Sequence, residues 1–562
     1  MCGIFACYTY RGKVDPDLCQ KKLKILNHRG PDQTRCWLSY TSNVFIGFNR
    51  LAIQDPRGIN GMQPFYWYNN ESTQYVCVCN GEIYNYKELH KKYIPEYEPK
   101  SGSDCEIILP LFIKFNGNLE KLCQSLIGEW VILIYDIDHN IMHICSDQLR
   151  SRPLFLGTKG TGEDLYIASE IKAIPDKYPV IPFPARSYWS SSDPENFNKY
   201  YNFPKPNTIL PRPSYKIACK NIRELLTASV KSRLNPDRDY GFLLSGGIDS
   251  SLVCSIAQRI LRDINPEVKI KTFTVGFIDS LSDEKLPPDV LAARKVAEFI
   301  GSDHHEILKN VYEGLDELDS VIYFNESYDE TTTRASVPMR IAVKYIKEIY
   351  PDICVIFSGE VADELFGSYL YFRKAPSAKA FHKECVRLLS DIHMYDGLRA
   401  DRVVSSVSCE LRLPFFNPEL MDYVLRLPAE YRWPVSNDDI EKKILRDAFT
   451  DPEDPYLPNE ILWRTKDAMS DGVGDLWKET LKDRLRVLVS LERYDNADEI
   501  YPFNTPDSQE SFYFREIFTS KFKHPTATQL IPYKWLPKFV GDVKDSSATA
   551  YFDQLEKVNR FV

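Results

Sequence analysis

Tyr240-Gly241-Phe242-Leu243-Leu244-Ser245-Gly246-Gly247-Ile248-Asp249-Ser250-Ser251 reads as a strand that hands over to a helix through a glycine turn. Tyr240 to Leu244 is a short buried strand, and Ser250 to Ile260 continues as a helix. The two glycines let the backbone turn tightly and approach an anion, while serine hydroxyls and helix-start amides offer donors to phosphate oxygens. No Gly-Lys-Ser/Thr follows, so this is not the Walker pattern. A serine-capped glycine turn is common between any strand and helix. The complete S-G-G-x-D-S-S string in that setting sets this one apart.

Outward from this turn the chain alternates strand, loop and helix. Ile270 to Phe277 is a strand, Val290 to Ile300 an amphipathic helix, and Ile353-Cys354-Val355-Ile356-Phe357 a further strand that feeds a turn. The alternation predicts a doubly wound α/β domain with a parallel sheet and ligands at the carboxyl ends of its strands. Before it, from Cys2 to about Ala173, apolar runs are short and turn-bounded, as in Asn43 to Phe48. Trp130 to Tyr135 turns through Asp138-His139-Asn140 into Ile141 to Ile144 as a hairpin. Asp104 to Phe115 is helical, with Ile107, Ile108, Leu111 and Phe112 on one face. Strands outnumber helices here, which predicts a layered α+β domain. Prolines cluster between Pro175 and Pro213 and read as the interdomain connection.

At 562 residues the chain is too long for a single core. Its composition is that of a globular protein, and its net charge of −9 without a long basic run argues against nucleic acid as the main partner. There is no apolar stretch near 18 residues and no basic-then-apolar leader, so neither a membrane span nor a signal peptide is expected. Fourteen scattered cysteines read as reduced thiols of a cytoplasmic protein. Cys77 and Cys79 share one strand face and are expected in the core, with no further metal ligand nearby.

Cys2 lies directly behind Met1. Cysteine is small, so Met1 is expected to be removed, leaving one residue with a thiol nucleophile and an α-amine of pKa about 7.7–8.0 to serve as its base. On the hexapeptide alone a chance small residue opening a buried strand explains Cys2 slightly better, and the rest of the chain decides.

Cys2-Gly3-Ile4-Phe5 together with the Ser245–Ser251 loop resembles glutamine-hydrolysing asparagine synthetase, the family with an N-terminal-nucleophile glutaminase domain. Further matching runs include His28–Asp32, Asn49–Ile53, Asn80–Asn85, Ser101–Asp104, Glu326–Asp329, Arg334–Pro338, Tyr369–Phe372, Trp463–Lys466 and Ser470–Gly474. The loop is similar to the pyrophosphate loop of enzymes that cleave ATP to AMP and pyrophosphate. The resemblance implies an N-terminal-nucleophile layered sandwich at 2–190, a pyrophosphate-loop synthetase domain at 213–540 and a tail at 541–562. It implies that Cys2 attacks the glutamine amide, that Asn80 and Gly81 form the oxyanion hole, and that Arg50 grips the α-carboxylate. Asp104 takes the α-ammonium with Glu82 nearby, and Leu51, Ala52, Ile53 and Gln54 complete the glutamine pocket. In the second domain it implies ATP on Leu244, Ser245, Gly246, Gly247, Asp249, Ser250, Ser251, Val275, Ser358 and Gly359. Magnesium falls to Asp249 and Asp363, Asp396 lies near a β-aspartyl-AMP intermediate, and Glu360 and Lys466 act in catalysis.

Two stretches depart from the family's usual pattern. S-G-E-G-S-D-E reads Ser358-Gly359-Glu360-Val361-Ala362-Asp363-Glu364, and a β-branched valine tolerates positive φ poorly. R-A-N-K reads Arg399-Ala400-Asp401-Arg402. The expected activity is ATP-dependent synthesis of L-asparagine from L-aspartate and L-glutamine, with a homodimer implied by the family's habit. Two rivals are an amide-forming synthetase on another acid, which Cys2 argues against, and a catalytically weakened regulatory paralogue, motivated by Val361 and Ala362.

Overall fold

The computed structural model describes residues 1–69, 72–278, 286–436, 439–465, 475–536, 538–539 and 541. The expected catalytic Lys466 and the run Ser470–Gly474 lie outside the described residues, as does the tail beyond Gly541.

The first unit is two six-stranded sheets packed face to face. Its strands are β1 (Gly3–Tyr8), β2 (Gln33–Leu38), β3 (Val44–Arg50), β4 (Phe65–Asn69), β5 (Ser72–Ile83), β6 (Gly128–Asp136), β7 (Ile141–Ser146), β8 (Phe155–Gly157), β9 (Leu165–Ala168), β10 (Val180–Pro182), β11 (Ser187–Ser190) and β12 (Asp193–Lys199). One sheet has the order β10-β8-β9-β1-β3-β2 and the other β12-β11-β7-β6-β5-β4. The period of two sorts the side chains. Ile4, Ala6, Ile46 and Phe48 meet Val76, Val78, Val131 and Leu133 between the sheets. The alternate residues Cys77, Cys79, Ile132 and Ile134 pack under the helices that carry Leu89, Ile108, Leu111 and Leu122. The helix Pro16–Ile25 covers the other sheet, where Gly47 leaves the room taken by Leu23. Helix, sheet, sheet, helix is the layered sandwich expected of this half. Asp104–Phe115 is two pieces, a 3-10 turn at Asp104–Ile107 and an α-helix at Ile108–Lys114.

The expected end of this domain at 190 falls short. β12 pairs antiparallel with β11, Ser187 opposite Lys199, and so closes the second sheet inside the proline-dense stretch. Prolines exclude long strands there, not short edge strands. The connection to the second unit therefore begins after Lys199.

The second unit is a five-stranded parallel sheet of β13 (Asp239–Leu243), β14 (Lys271–Ile278), β15 (Asp303–Asn310), β16 (Ile353–Phe357) and β17 (Glu410–Arg412), in the order β15-β14-β13-β16-β17. Thr272 to Ile278 of β14 are all buried, as expected of a strand covered on both faces. The helix Pro288–Ile300 packs so closely that a Cβ on Gly276 would lie 2.6 Å from Val290. The chain runs outward from β13 through β14 to β15, then returns to β16 on the other side of β13. The switch point, and the crevice that goes with it, lies between β13 and β16. Among the described residues no helix is long and apolar enough to cross a membrane, and all fourteen cysteines are free.

Candidate active sites

The first site forms where β1, the end of β3 and the middle of β5 converge. The backbone nitrogen of Cys2 donates to Asn80 Oδ1 at 2.8 Å, and the Leu51 amide donates to Cys2 Sγ at 3.4 Å. The Cys2 carbonyl accepts from Arg29 Nε at 3.0 Å. Burial pushes the thiol up to about 11, against the pull of the nearby amino terminus and the Leu51 amide. Asn80 is fully buried, and its Nδ2 has no partner. Such an orphan donor beside a nucleophile suits an oxyanion. Gly81 sits at φ 151°, and a Cβ there would lie 2.1 Å from the Glu129 carbonyl, so only glycine fits.

Arg50 is buried at the end of β3. Its guanidinium donates to the Gln54 and Asp55 carbonyls at 2.9 and 3.0 Å and to Gln33 Oε1 at 2.9 Å, which fixes it and folds the loop around it. Leu51, Ala52 and Ile53 are buried in that loop. Asp104 accepts from the Ile83 amide at 2.5 Å, and burial pushes its carboxyl up to about 6. Two of the expected glutamine residues turn their side chains elsewhere. Gln54 donates to the Asn235 carbonyl at 2.9 Å, and Glu82 pairs with Arg412 at 3.1 Å.

The second site is an open cleft of about 1260 Å³ at the β13/β16 switch point. It is lined by Ser245, Gly247, Asp249, Ser250, Ser358, Gly359, Glu360, Asp363 and Asp396 of the expected set. Gly246, at φ 73°, lies against Ala292 and Ala293, where a Cβ would come within 2.5 Å. A Cβ on Gly359 would be 2.8 Å from the Ser250 amide, so the two loops touch through glycine. Ser250 Oγ accepts from the Ser245 amide at 3.2 Å, which holds the turn. Leu244, just after β13, and Val275 in β14 are buried, and Ser251, the last residue of the loop motif, is fully buried in the helix that follows.

Sequence reasoning missed Lys442. It is 1% exposed, and its ammonium contacts both Asp249 and Asp363. The two carboxylates thus converge on one cationic point, which fits the oxygen donor set of a magnesium ion shared with substrate phosphates. A lone lysine at the start of a short helix carries no sequence signal of that kind. Arg399 joins Glu360 (2.8 Å) to Asp396 (3.0 Å). Burial raises the Glu360 carboxyl, while Arg399 opposes the rise. Val361 stands at φ 80° and is 3% exposed, so the expected conflict between valine and a left-handed position is real.

The two sites share a wall. The Met1 nitrogen donates to the Cys409 carbonyl at 3.3 Å, one residue before β17. Arg412 in β17 pairs through its side chain with Glu82, while its carbonyl accepts from the Ser358 amide at 3.2 Å. Asp401 and Arg402, the other departures, also work at this wall. Asp401 accepts from Arg29 at 3.2 Å, and Arg402 pairs with Glu170 and Glu326, each at 2.8 Å.

Residues 1–210 match the family described as glutamine amidotransferase domain, and residues 221–379 and 373–536 match that described as asparagine synthase. A probable asparagine synthetase [glutamine-hydrolyzing] of Acanthamoeba polyphaga mimivirus is 37% identical, over 98% of this chain and 99% of its own. Asparagine synthetase B [glutamine-hydrolyzing] of Escherichia coli (strain K12) is 37% identical, over 95% and 93%. Asparagine synthetase [glutamine-hydrolyzing] of Homo sapiens is 36% identical, over 98% of both chains.

Proposed function

Because the chain belongs to the glutamine-hydrolysing asparagine synthetases, we propose that it makes L-asparagine from L-aspartate and ATP with ammonia drawn from L-glutamine. Glutamate, AMP and pyrophosphate are the other products. The observation that carries the reading is the pairing of two sites across one wall: Cys2 with the orphan Asn80 Nδ2 on one side, the Ser245–Ser251 loop with Glu360 on the other.

Removal of Met1 turns the Cys2 nitrogen, already held by Asn80, into the α-amine that takes the thiol proton. The thiolate adds to the glutamine amide carbon, and the oxyanion is met by Asn80 Nδ2 and the Gly81 amide. The tetrahedral adduct collapses to a thioester and ammonia, which leaves with the proton from the α-amine. Water then frees glutamate. Arg50 and Asp104 hold the α-carboxylate and α-ammonium, and the loop of Leu51, Ala52, Ile53 and Gln54 closes the pocket.

In the cleft, the aspartate β-carboxylate attacks the α-phosphorus of ATP, forming β-aspartyl-AMP and releasing pyrophosphate. The Ser245–Ser251 loop cradles phosphate, Leu244, Val275, Ser358 and Gly359 take the adenosine part, and Asp396 lies by the intermediate. Asp249 and Asp363 would hold magnesium, which when bound supplies charge neutralisation on the pyrophosphate. Lys442 already places positive charge between those carboxylates, and Lys466 completes the set. Ammonia crossing from Cys2 attacks the acyl carbon and expels AMP, with Glu360 taking its proton. A passage through the shared wall would keep ammonia away from bulk water, which would protonate it. On this reading the chain divides into domains at 2–199, around the two six-stranded sheets, and 213–540, around the five-stranded sheet, and free cysteines suit a reducing, cytoplasmic setting.

The test supplies aspartate, ATP and magnesium with glutamine and follows four products. Asparagine, AMP, pyrophosphate and glutamate are expected in equal amounts. ADP in place of AMP, or glutamate without asparagine, would overturn the reading.

A further inference from the structure

Beside the synthetase cleft lies a second, smaller cavity, and Thr331 lines both. The start of the helix Glu330–Ile349, the helix Gln509–Lys521 and the segment 531–536 enclose it. Arg515 forms one side and is 3% exposed. Its Nη2 donates to the Phe503 carbonyl at 3.1 Å, and its guanidinium lies 4.0 Å from the ring centre of Tyr328. Its Nε and Nη1 are buried with no partner. An unsatisfied buried donor on a charged group costs about 1–3 kcal/mol or more, so the site calls for an anionic acceptor. The other cation at the cavity, Lys534, pairs with Asp507 at 2.6 Å.

Two carboxylates, the buried Asp329 and the half-buried Glu330, share the cavity with Arg515. Asp329 accepts from the Thr332 amide at 2.9 Å. Glu330 accepts from Ser508 Oγ at 2.9 Å and lies 3.8 Å from Arg334, whose guanidinium is committed to Glu510. Burial, helped by Glu510, pushes the Glu330 carboxyl up to about 7, so it lacks a full counter-charge. A simple anion would satisfy Arg515 and face these acids. A simple cation would satisfy the acids and face Arg515. A ligand with both charges a few ångströms apart satisfies both sides.

We propose that this cavity binds a free α-amino acid, its carboxylate on Arg515 and its α-ammonium towards Asp329 and Glu330, with Ile531 and Trp535 against its apolar part. The choice of probes rests on the proposed function: aspartate and asparagine are the amino acids consumed and produced one residue away, across Thr331.

Equilibrium dialysis of the full chain with labelled L-aspartate and L-asparagine, without ATP, tests this. At least one is expected to bind, and Arg515→Gln and Glu330→Gln are each expected to weaken it about tenfold or more, a loss of one good charged contact. Binding of aspartate marks a substrate reservoir, and binding of asparagine marks a product site. Inorganic phosphate and methylammonium, each with one kind of charge, are expected not to displace the label. Should Arg515→Gln fail to fold, Ile531→Trp fills the cavity and is expected to abolish the same binding. Affinity unchanged in the folded variants, or displacement by phosphate alone, would overturn the site. Asparagine synthesis on the same wild-type sample separates the two readings. Synthesis without variant-sensitive binding sinks this site only, and variant-sensitive binding without synthesis sinks the function only.

Discussion

Val361 gives a prediction whose sign is opposite to the usual rule. It is buried at φ 80°, at the turn that aims Glu360 and begins the helix Ala362–Phe366. A left-handed position costs an L-residue about 1–2 kcal/mol, and a β-branched side chain is among the worst placed to meet it. Val361→Ala keeps the Cβ and most of that strain while losing two buried carbons, about 1.6 kcal/mol at roughly 0.8 per methylene. Val361→Gly loses more apolar surface and gains unfolded-state freedom, but it removes the strain. Where φ is positive, alanine is less stable than glycine by more than about 0.4–1 kcal/mol, whereas in ordinary helices the order is reversed by about 0.5–1 kcal/mol. The expected order is therefore valine, then glycine, then alanine. Thermal unfolding of the three proteins under one buffer measures it, with the glycine variant about 1–2 °C above the alanine variant. Pyrophosphate release is expected to survive Val361→Gly. An alanine variant as stable as the glycine variant, or more so, would refute the strain at this turn.

Other perturbations separate the two sites. Asn80→Ala removes the orphan Nδ2 and is expected to lower glutamine hydrolysis about 10²–10³-fold while sparing synthesis from ammonium; equal loss in both assays contradicts it. Asp104 has its carboxyl held up near 6 by burial. As pH falls through 6 it becomes neutral and stops attracting the α-ammonium, so the KM for glutamine should climb while that for ATP stays flat. A glutamine KM unchanged between pH 5 and 7, about a unit either side of that value, would exclude the role. Lys442→Ala leaves Asp249 and Asp363 facing the triphosphate without their ammonium. The KM for ATP is expected to rise about tenfold or more, and an unchanged KM would remove Lys442 from the site.

Much of this was legible before any coordinates. Periodicity marked β13, β14, β16 and the β6–β7 hairpin, because buried strands and tight turns write themselves into local sequence. The Ser245–Ser251 loop was legible because close backbone approach admits little besides glycine, as Gly246 and Gly359 show. The left-handed turn at Val361 was foreseen from its departure from the family's glycine. Long-range charge pairing was not legible. Lys442 reaches across 193 residues to Asp249, and Arg412 across 330 to Glu82. A charged residue on a short element shows in sequence only as a surface-like residue. The same limit hid the turning away of Gln54 and Glu82, whose motifs match while their side chains serve the wall between domains. The end of the first domain lies past the expected residue 190 because the edge strand β12 tolerates the prolines that mark a linker.

The measurement closest to the central claim is the Cys2→Ala enzyme assayed with glutamine and, separately, with ammonium, in the presence of aspartate, ATP and magnesium. The account predicts that asparagine formation from glutamine disappears and that formation from ammonium persists, with AMP and pyrophosphate released alongside. Loss of both activities, or retention of both, would contradict the division of labour between Cys2 and the Ser245–Ser251 cleft.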